Sequence, residues 1–572
     1  MAFNLLEDPW IDVIDEDNNC RSVGIIDIFK DAHLIKDLKT MKFHGILFPL
    51  YNYLAIRLLC GILVDAYNEA EEDFDAEEII ADGNFDVSSG SILGTYLETY
   101  KDRFELFDSK HPFMQTGDDD LEKWKELGSK PDTKPLNVMK VSPCSPAESA
   151  RISEVKNEEF AEFLKVVRGI TVDPFYGANL DSVGKDGMMS AFAEVYSIPA
   201  KEWAYICMYH NCVFPGVGSG NKSGLAGNSY YAEIIQGKNL FQTIAMNSVS
   251  ISLSDNRISN KPLWRWESQT DIFLDENKVT LDMLSGLFCP SKIIRANKVE
   301  DNVVKSIIQA PLRFGDDENK EIIDDLREKW AVEFEPHFVV NYMQFPIKRT
   351  KEGKRQSPYR KFPDSNIRLW TPIGATQTNT NHLSEDMLGS LAMAARNTRE
   401  EFNGTKFTGI FGEDVHIRIY YRICNGKWVY QSTGMQDGVI PVGLMTNEKR
   451  QSFVRAVITF SVNACEKLDK CASRYYMRSG ITPSSDLSNR LYSFLGVNGE
   501  KGKYLFRVSN ANSKEDFDEL WDEFCGFVGA ECRRIWGRRL IPGKTVEFYK
   551  NLNEINKFLN GKEGKGLYAR KH

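Results

Sequence analysis

A glycine-rich segment at residues 214–228 comes closest, in residue types and spacing, to a loop that binds a ligand. It runs Phe-Pro-Gly-Val-Gly-Ser-Gly-Asn-Lys-Ser-Gly-Leu-Ala-Gly-Asn, with five glycines from Gly216 to Gly227. Because glycine lacks Cβ, this backbone reaches positive φ angles and can approach a flat or charged ligand closely. The segment therefore suggests phosphate binding or contact with a polymer, and a plain structural turn is the third interpretation.

The phosphate-binding interpretation depends on a partial match of residues 216–223 to the Walker A motif. Gly216, Lys222 and Ser223 stand where that motif requires them, but Asn221 replaces its second glycine. The residues after Ser223 include further glycines, which do not open the helix that should hold the phosphates. A nucleotide hydrolase with a degenerate phosphate loop is the alternative function that this match leaves open.

Charge is distributed unevenly along the chain, whose net charge is −10. Lys348 to Lys361 holds seven bases and one acid, whereas Asp65 to Asp86 holds ten acids and no base. Neutralising phosphates needs a local basic stripe rather than a basic protein, so the first run is a candidate nucleic-acid contact or a solvated loop. The acidic run keeps a surface soluble or faces a basic neighbour.

A second candidate contact is the hairpin predicted around the dipeptide Asn425-Gly426. Two runs rich in β-branched and aromatic residues flank this dipeptide, which favours type I′ turns. An ordinary surface hairpin is one interpretation. The other is a rigid tip at which Asn425 and Lys427 offer hydrogen bonds and charge, because a stiff β-hairpin can push between stacked bases.

The sequence lacks the usual motifs of catalysis and metal binding. The eight histidines form no HExxH or HxxEH pattern, the eleven cysteines form no Cys-x-x-Cys pair, and no Gly-x-Ser-x-Gly elbow occurs. Three consecutive acids, Asp118 to Asp120, are more typical of a helix start than of a cation site, and His111 is typical of a packed or capping histidine. We therefore predict a protein that is not an enzyme, with no catalytic residues, no metal and no cofactor.

The elements that must position these residues indicate an α+β protein with more than one domain. A chain of 572 residues exceeds a single small core, and its first part mixes short helices and strands without a βαβ rhythm. The last part predicts four amphipathic helices joined by polar loops. The predicted fold is a large mixed N-terminal domain, residues 1–440, followed by a C-terminal four-helix bundle, residues 441–572.

Periodicity and end signals place the individual elements. Helices are predicted at Pro49–Asn68, Ile92–Phe107, Asn157–Val167, Lys320–Phe334, Leu383–Asn397, Thr446–Cys471, Asp486–Leu495 and Thr545–Leu559. Strands are predicted at Tyr230–Gln236, Ser248–Leu253, His337–Tyr342 and His416–Ile423. Ser513 and Asp516 form the pattern of a capping box before a further amphipathic helix.

The N-terminal residues and the apolar runs indicate where in the cell the protein is located. Residues 1–10 contain no basic region followed by an apolar stretch, as a secretion signal would. The longest apolar run, Ile46–Val64, is interrupted by Pro49, Asn52 and Arg57, which argues against a membrane span. We expect a cytoplasmic protein with no membrane partner.

Three blocks in the first 230 residues carry a family resemblance. The first is Phe3–Ile11, with Asn-Leu-Leu followed by Trp-Ile; the second is Phe104–Thr116, which contains His-Pro-Phe-Met-Gln; the third is Lys222-Ser-Gly-Leu225 after the glycines. Together they resemble the CasA family, the large subunit of the type I-E CRISPR Cascade complex. That family's mixed N-terminal body and helical C-terminal bundle agree with the predicted domains.

The resemblance implies a non-catalytic subunit of a crRNA-guided antiviral surveillance complex. In such complexes guide pairing reads the target, while protein reads a short adjacent motif, the PAM, and helps to open the duplex. The implied partners are target double-stranded DNA, the crRNA-containing Cascade subunits and a helicase-nuclease effector.

The resemblance also implies which residues contact nucleic acid from the minor-groove side. The family's glycine loop, with the lysine that follows it, falls on Gly216, Val217, Gly218, Ser219, Gly220 and Lys222. Ser219 departs from the pattern, because another glycine is expected there.

Three further contacts follow from the same resemblance. The wedge hairpin falls on Asn425, Gly426 and Lys427, without the glutamine expected at its tip, so that Lys427 is the first choice. The lysine finger falls in the basic stretch, at Lys348 or Arg349. A loop that contacts nucleic acid or neighbouring subunits lies within residues 179–190 and includes Asn179 and Lys185.

Overall fold

The computed structural model gives the fold of most of the first 128 residues and of shorter stretches beyond them. The described residues are 3–43, 46–47, 49–72, 74–128, 137–140, 198–212, 230–248, 261–268, 284–290, 292–311, 414–424, 430–441, 490, 493–496, 500–511, 513–537, 543 and 545–560. Backbone contacts divide the chain into two compact units, Met1–Arg360 with Ile419–Met435, and Lys361–Arg418 with Gln436–His572. The predicted division after residue 440 rests on element type and stays a prediction.

Helices and strands are both well represented among the described residues. The strands are β1 (Ile11–Asp15), β2 (Cys20–Val23), β3 (Ile35–Leu38), β4 (Lys42–Phe43), β5 (Ile46–Leu47), β6 (Asn137–Lys140), β7 (Ile198–Pro199), β8 (Tyr230–Gln236), β9 (Lys292–Glu300), β10 (Val303–Pro311), β11 (Asp414–Cys424) and β12 (Tyr430–Pro441). The helices are α1 (Ile25–Asp31), α2 (Leu50–Glu69), α3 (Ala76–Asp82), α4 (Ile92–Thr99), α5 (Asp118–Gly128), α6 (Ala200–Cys212), α7 (Leu240–Met246), α8 (Tyr504–Asn510), α9 (Lys514–Gly537) and α10 (Thr545–Asn560). The predicted α+β class is confirmed.

The described strands form small sheets rather than one large one. Their orders are β2-β1-β3, β6-β10-β7 with β9 also pairing β10, β12-β11-β8, and β4-β5. The turn between β9 and β10 consists of Asp301 and Asn302, which both have positive φ angles, 50° and 58°. Two successive positive φ values are typical of the type I′ turn that matches the twist of a two-residue hairpin.

The core of the first unit surrounds α2. Residues on all sides of this helix are buried, from Leu50 to Ala66, and it contacts α4, α6 and α7. A helix that is apolar all round belongs in an interior. By length and composition α2 is able to cross a membrane, but 94% of its apolar window is buried inside the protein.

The predicted elements in the first unit agree with the structure at most described positions. The helix predicted at Pro49–Asn68 is α2, and the strand predicted at Tyr230–Gln236 is β8. The helix predicted at Ile92–Phe107 is instead α4 followed by a 3-10 turn at Lys101–Phe104. Tyr100 ends α4 because its backbone leaves the helical region, with φ −103° and ψ 16°.

The second unit contains helices near the C-terminus. Helices α8 and α9 contact each other, and so do α9 and α10. The predicted capping box is confirmed: the Asp516 backbone N donates to Ser513 Oγ at 3.1 Å, and the Ser513 backbone N donates to Asp516 Oδ2 at 3.0 Å. Phe494 stacks on Tyr504 and Phe527 with ring centroids 4.9 and 4.2 Å apart. The four-helix arrangement itself stays a prediction.

Several predicted elements lie wholly or largely outside the described residues. They are the helices at Asn157–Val167, Lys320–Phe334, Leu383–Asn397, Thr446–Cys471 and most of Asp486–Leu495, and the strands at His337–Tyr342 and at Ser248–Leu253 beyond its first residue.

Candidate nucleic-acid interface

The residues assigned to nucleic-acid contact lie outside the described part of the chain. They are Asn179, Lys185, Gly216, Val217, Gly218, Ser219, Gly220, Lys222, Lys348, Arg349, Asn425, Gly426 and Lys427. The structure does describe the elements on both sides of the glycine-rich segment and of the hairpin tip. These flanking elements define the candidate interface.

One sheet holds the strands that adjoin both segments. The chain enters the glycine-rich segment from α6 at Cys212 and leaves it along β8 from Tyr230. Strand β8 pairs with β11, which runs to Cys424, and β11 pairs with β12, which starts at Tyr430. Strands joined by such a short connection are antiparallel, so the predicted hairpin around Asn425-Gly426 has its two strands.

The C-terminal end of α6 is held by hydrogen bonds to two distant segments. Asn211, which is 1% exposed, donates from Nδ2 to the carbonyl of Met114 at 2.7 Å and to that of Cys207 at 2.9 Å. The Asn211 carbonyl in turn accepts from the backbone N of Cys289 at 2.8 Å. The last turn of the helix is therefore fixed just before the chain enters the glycine-rich segment.

The start of α6 is held by Gln115, a buried amide with a partner on each side. Its Oε1 accepts from Trp203 Nε1 at 3.0 Å and from the Ala296 backbone N at 2.8 Å. Its Nε2 donates to the Leu106 carbonyl at 2.6 Å. Buried polar groups need partners, and this amide satisfies groups from helix α6, strand β9 and its own block.

The block Phe104–Thr116, which carries the strongest sequence motif, folds as an irregular segment of turns and bends in which Met114 has a strained backbone. Met114 takes a φ of 53°, in the left-handed region that non-glycine residues rarely adopt. Such a conformation costs on the order of 1 kcal/mol and persists where surrounding contacts demand it. In this block the strained residue, Met114, is the one whose carbonyl accepts a hydrogen bond from the Asn211 side chain. Immediately after the block, a Cβ on Gly117 would lie 2.1 Å from the Lys110 carbonyl, so glycine is required there.

Strand β8 is fixed at its other end by Asn247, which is fully buried. The Asn247 side chain accepts from the Ile235 backbone N at 3.0 Å and donates to the Ile235 carbonyl at 2.7 Å. It also donates to the Thr243 carbonyl at 2.6 Å. A side-chain amide thus pairs with the strand as a neighbouring strand would, which ties β8 to the end of α7.

Two charged side chains, Asp108 in the block and Arg295 beside it, have their hydrogen-bond or ionic partners within the protein. Burial raises the pKa of Asp108, but backbone N–H groups of His111, Lys110 and Ser109 bring it below its ordinary value. The Arg295 guanidinium donates to the Asp108 carbonyl at 2.9 Å and lies 3.2 Å from an Asp118 carboxylate oxygen. Burial lowers the pKa of Arg295. The predicted helix start at Asp118 is confirmed by α5.

A family model spans about two thirds of the chain and decides its family. The model of the CRISPR-associated protein Cse1 family matches residues 4–386. The chain belongs to the Cse1 family. CasA and Cse1 are names of one protein in the solved structure of Thermus thermophilus CasA (Cse1), so the family that the motifs resemble is confirmed. The matched range contains the block, the glycine-rich segment and the basic stretch, and it ends before the hairpin.

Several solved structures are similar in fold to this chain. Cse1 from Acidimicrobium ferrooxidans is 14% identical, with 100% of this chain and 99% of that chain covered and a TM-score of 0.59. A CasA structure from Thermus thermophilus is 14% identical, with 98% and 99% covered and a TM-score of 0.55. A chain of a CRISPR RNA-guided surveillance complex is 12% identical, with 98% and 100% covered and a TM-score of 0.57. At these identities the similarity is one of fold. No curated protein sequence matches the chain.

The element order around the glycine-rich segment differs from that of a phosphate loop. A phosphate loop joins a strand to a following helix, whose N-terminus holds the phosphates. Here helix α6 precedes the segment and strand β8 follows it. Only residues 224–229 separate Ser223 from Tyr230, which leaves no room for a helix of useful length before the strand. This order of elements therefore argues against nucleotide binding by the segment.

A buried ion pair lies elsewhere in the core of the first unit. Arg265 Nη1 donates to Asp65 Oδ1 at 2.8 Å, and the two side chains are 3% and 0% exposed. Arg265 also pairs with Glu69 and lies 4.5 Å from the centre of the Tyr100 ring. Burial raises the pKa of Asp65 to about 7, against the attraction of Arg265 and a hydrogen bond from Tyr96. Asp65, the first residue of the acidic run Asp65–Asp86, is thus buried and pairs with a basic side chain, that of Arg265.

The described residues contain no cluster suited to a metal ion. Within those residues no group of three His, Cys, Asp or Glu side chains lies close enough to hold one. His111, predicted to be packed or capping, is half-buried; its backbone N donates to Asp108 Oδ1 at 2.6 Å, and its Nε2 lies 3.6 Å from Glu267. The predicted absence of a metal, a cofactor and catalysis stays a prediction.

Sequence reasoning missed the residues that hold the elements flanking the candidate interface. Gln115 belongs to the most recognisable sequence block, and this membership could have singled it out. A glutamine in a motif, however, does not by itself indicate which groups it binds. Asn211 and Asn247 carry no local signal, because neither belongs to a recognisable motif. Their partners lie far away in sequence or across a turn, where no periodicity extends.

Proposed function

We propose that this chain is the non-catalytic large subunit of a crRNA-guided antiviral surveillance complex of the Cascade type. In that role it recognises the PAM of target double-stranded DNA from the minor groove, helps duplex opening and R-loop formation, and recruits a helicase-nuclease. Membership of the Cse1 family supports this role. A chain of similar fold belongs to a CRISPR RNA-guided surveillance complex.

The observation that carries the proposal is the sheet β12-β11-β8. The chain leaves the glycine-rich segment along β8 and enters the hairpin tip along β11, and these two strands are neighbours. Reading a PAM and opening the duplex beside it require a backbone reader and a wedge that are held on a common support. Two segments far apart in sequence have such a support here.

The composition of the glycine-rich segment suits the minor groove. This groove is about 6 Å wide and presents mainly a distinction between A·T and G·C pairs. A bare backbone fits such a groove and tolerates several sequences, so we expect recognition of more than one PAM. Lys222 and the basic stretch at Lys348 and Arg349 add attraction to phosphates with little sequence information.

The remaining partners follow from the same role. The chain assembles with crRNA-containing Cascade subunits and docks a helicase-nuclease effector. The loop that includes Asn179 and Lys185 contacts nucleic acid or a neighbouring subunit. The site of action is the cytoplasm, where invading DNA is met. The C-terminal helices position the displaced strand and respond to R-loop formation.

The first prediction concerns Gly218 and tests the proposed site. We expect Gly218→Asp to abolish binding of the assembled complex to PAM-containing duplex, because a carboxylate collides with the groove and repels phosphates. Binding to a target that is already opened by mismatches beside the PAM should change far less. Equilibrium binding of both targets by the complete complex, measured at one salt concentration, checks this.

Two further variants sharpen the Gly218 test. Gly218→Asn has the size of aspartate without its charge and separates collision from repulsion, whereas Gly218→Ser should be tolerated. Lys427→Ala should slow opening of the duplex more than it weakens binding to the opened target. Duplex binding at the wild-type level in both Gly218→Asp and Lys427→Ala contradicts the assignment of the site.

The alternative, a nucleotide hydrolase, makes an opposite prediction. It requires Mg-dependent ATP binding that Lys222→Ala removes. The helix-before and strand-after arrangement of the segment argues against it. Titration of the complete chain with ATP and magnesium, with no binding at millimolar nucleotide, eliminates it.

A further inference from the structure

One side chain in the block Phe104–Thr116 joins three separate parts of the first unit. The hydrogen bonds of Gln115 reach Leu106, Trp203 and Ala296, which are 9, 88 and 181 positions away in sequence. Two of these partners lie on α6 and β9. Gln115 is 2% exposed, and its amide is hydrogen-bonded within the protein.

We propose that Gln115 is a positioning residue for DNA binding, acting by fixing helix α6, from which the glycine-rich segment starts. It holds the first turns of α6 through Trp203. The carbonyl of its neighbour Met114 holds the last turn through Asn211. Two adjacent residues therefore fix both ends of one helix. This inference rests on the proposed function of the segment.

Only an amide of this length satisfies the groups around Gln115. Its oxygen accepts two N–H groups, from Trp203 and Ala296, while its nitrogen donates to the carbonyl of Leu106. Glutamate lacks the donor, methionine lacks all polar atoms of the amide, and asparagine is one methylene too short. A buried donor or acceptor left without a partner costs about 1–3 kcal/mol, so a substitution shifts the elements that carry these groups.

The strain at Met114 supports the same role. Its left-handed φ of 53° turns the carbonyl that accepts from Asn211 at 2.7 Å. Strained non-glycine residues are kept where the surrounding structure over-determines them, and they cluster at functional sites. Among the charged side chains of the block, Asp108 accepts hydrogen bonds from backbone N–H groups of the block, and the neighbouring Arg295 donates to the Asp108 carbonyl, so neither of these two is offered to DNA. Gln115 and Met114 are themselves buried, so their contribution to binding is positional.

The narrow minor groove makes binding sensitive to position. A backbone that enters a groove of about 6 Å has little room for displacement. A shift of α6 moves the start of the glycine-rich segment without altering any group that contacts DNA. The expected signature is lost duplex recognition with normal binding to a target that needs no PAM reading.

The test is Gln115→Met in the complete complex. Affinity for PAM-containing duplex should fall about tenfold, which corresponds to about 1.4 kcal/mol. Affinity for the target opened by mismatches should change less than about twofold by the same measure. Ile28→Ala is the matched control: it also creates a defect in the first unit, where Ile28 is fully buried on α1, but it removes no hydrogen bond to α6.

A gentler variant keeps the test decisive if Gln115→Met folds poorly. Trp203→Phe retains an aromatic ring in the core and removes the Nε1–H that Gln115 accepts. It should reduce duplex binding in the same direction by a smaller factor. The double variant should bind duplex as Gln115→Met does, because residues that act through one contact are not additive.

The outcomes separate this inference from the proposed function. Equal loss on both targets, or the same target-selective loss in Ile28→Ala, means that Gln115 is merely structural. If Gly218→Asp abolishes duplex binding while Gln115→Met and Trp203→Phe leave it at the wild-type level, the positioning role fails alone. If Gly218→Asp itself has no effect, the proposed function fails.

Discussion

At the scale of single residues, buried amides and a buried ion pair join helices, strands and turns that are separated along the sequence. Gln115, Asn211 and Asn247 are each at most 2% exposed, and each side chain hydrogen-bonds to a segment outside its own helix or turn. An amide has a donor and an acceptor, so it can satisfy two backbone groups at once. Arg265 does the same with charge, because it joins Asp65 and Glu69 of α2 to the turn at Leu263–Arg265.

The second prediction concerns Arg265, whose loss leaves a carboxylate buried without its base. We expect Arg265→Met to lower the free energy of unfolding by about 3–5 kcal/mol, as for other broken buried pairs. Arg21→Met is the matched control, since the Arg21–Asp31 pair is exposed, with Arg21 at 52%. That control should cost less than about 1 kcal/mol. Urea unfolding of both variants measures the difference.

The pH dependence of the Arg265 variant follows from Asp65. Its pKa in the folded protein is already raised to about 7 by burial, and removing Arg265 raises it further. The folded variant then binds a proton that the unfolded chain releases, so its stability falls as pH rises. The deficit against wild type should be larger at pH 8 than at pH 6. An equal deficit at both values contradicts a charged Asp65–Arg265 pair.

At the scale of elements, local sequence signals predict many helix ends and individual strands. They do not predict which strands pair with each other. Helix α9 begins at the capping box formed by Ser513 and Asp516, and α5 begins at the acidic run of Asp118. Composition predicts the strands β8 and β11 individually. It does not predict their adjacency in one sheet, which the proposed function needs, because strand partners far apart in sequence leave no local pattern.

The cap of α9 gives a prediction at the scale of elements. Ser513→Ala removes the oxygen that accepts from the Asp516 backbone N at 3.1 Å. We expect a loss of about 1 kcal/mol in the free energy of unfolding. Ser513→Thr keeps the hydroxyl and should stay close to wild type. Equal stability of the alanine and threonine variants in thermal unfolding contradicts the capping role.

The charge of the whole molecule restricts how it can bind DNA. Lys and Arg number 71 against 81 Asp and Glu, so the net charge is −10. A chain of this charge does not coat nucleic acid, and binding must come from a local basic region. The stretch from Lys348 to Lys361 is the candidate, and its contribution should appear in the salt dependence of binding.

The last prediction therefore addresses salt. Neutralising Lys348, Arg349, Lys351 and Lys354 together should flatten the slope of log affinity against log salt, by about 0.9 for each phosphate contact that is lost. The control set replaces four exposed lysines elsewhere, namely Lys36, Lys298, Lys503 and Lys550. Affinity of the complex for duplex over a salt series measures both. An unchanged slope in the first set, or an equal change in the control set, removes the basic stretch from the interface.

The sequence by itself determined the family, the α+β class and the elements whose signals are local. Periodicity placed α2 and β8, and the capping box placed the start of α9, because these patterns lie within one turn or one strand. Only the tertiary structure decided that Gln115 joins α6 to β9, that Met114 holds Asn211, and that β8 lies beside β11. Such contacts join residues far apart along the chain, and their energy depends on burial, which exists only once the chain has folded.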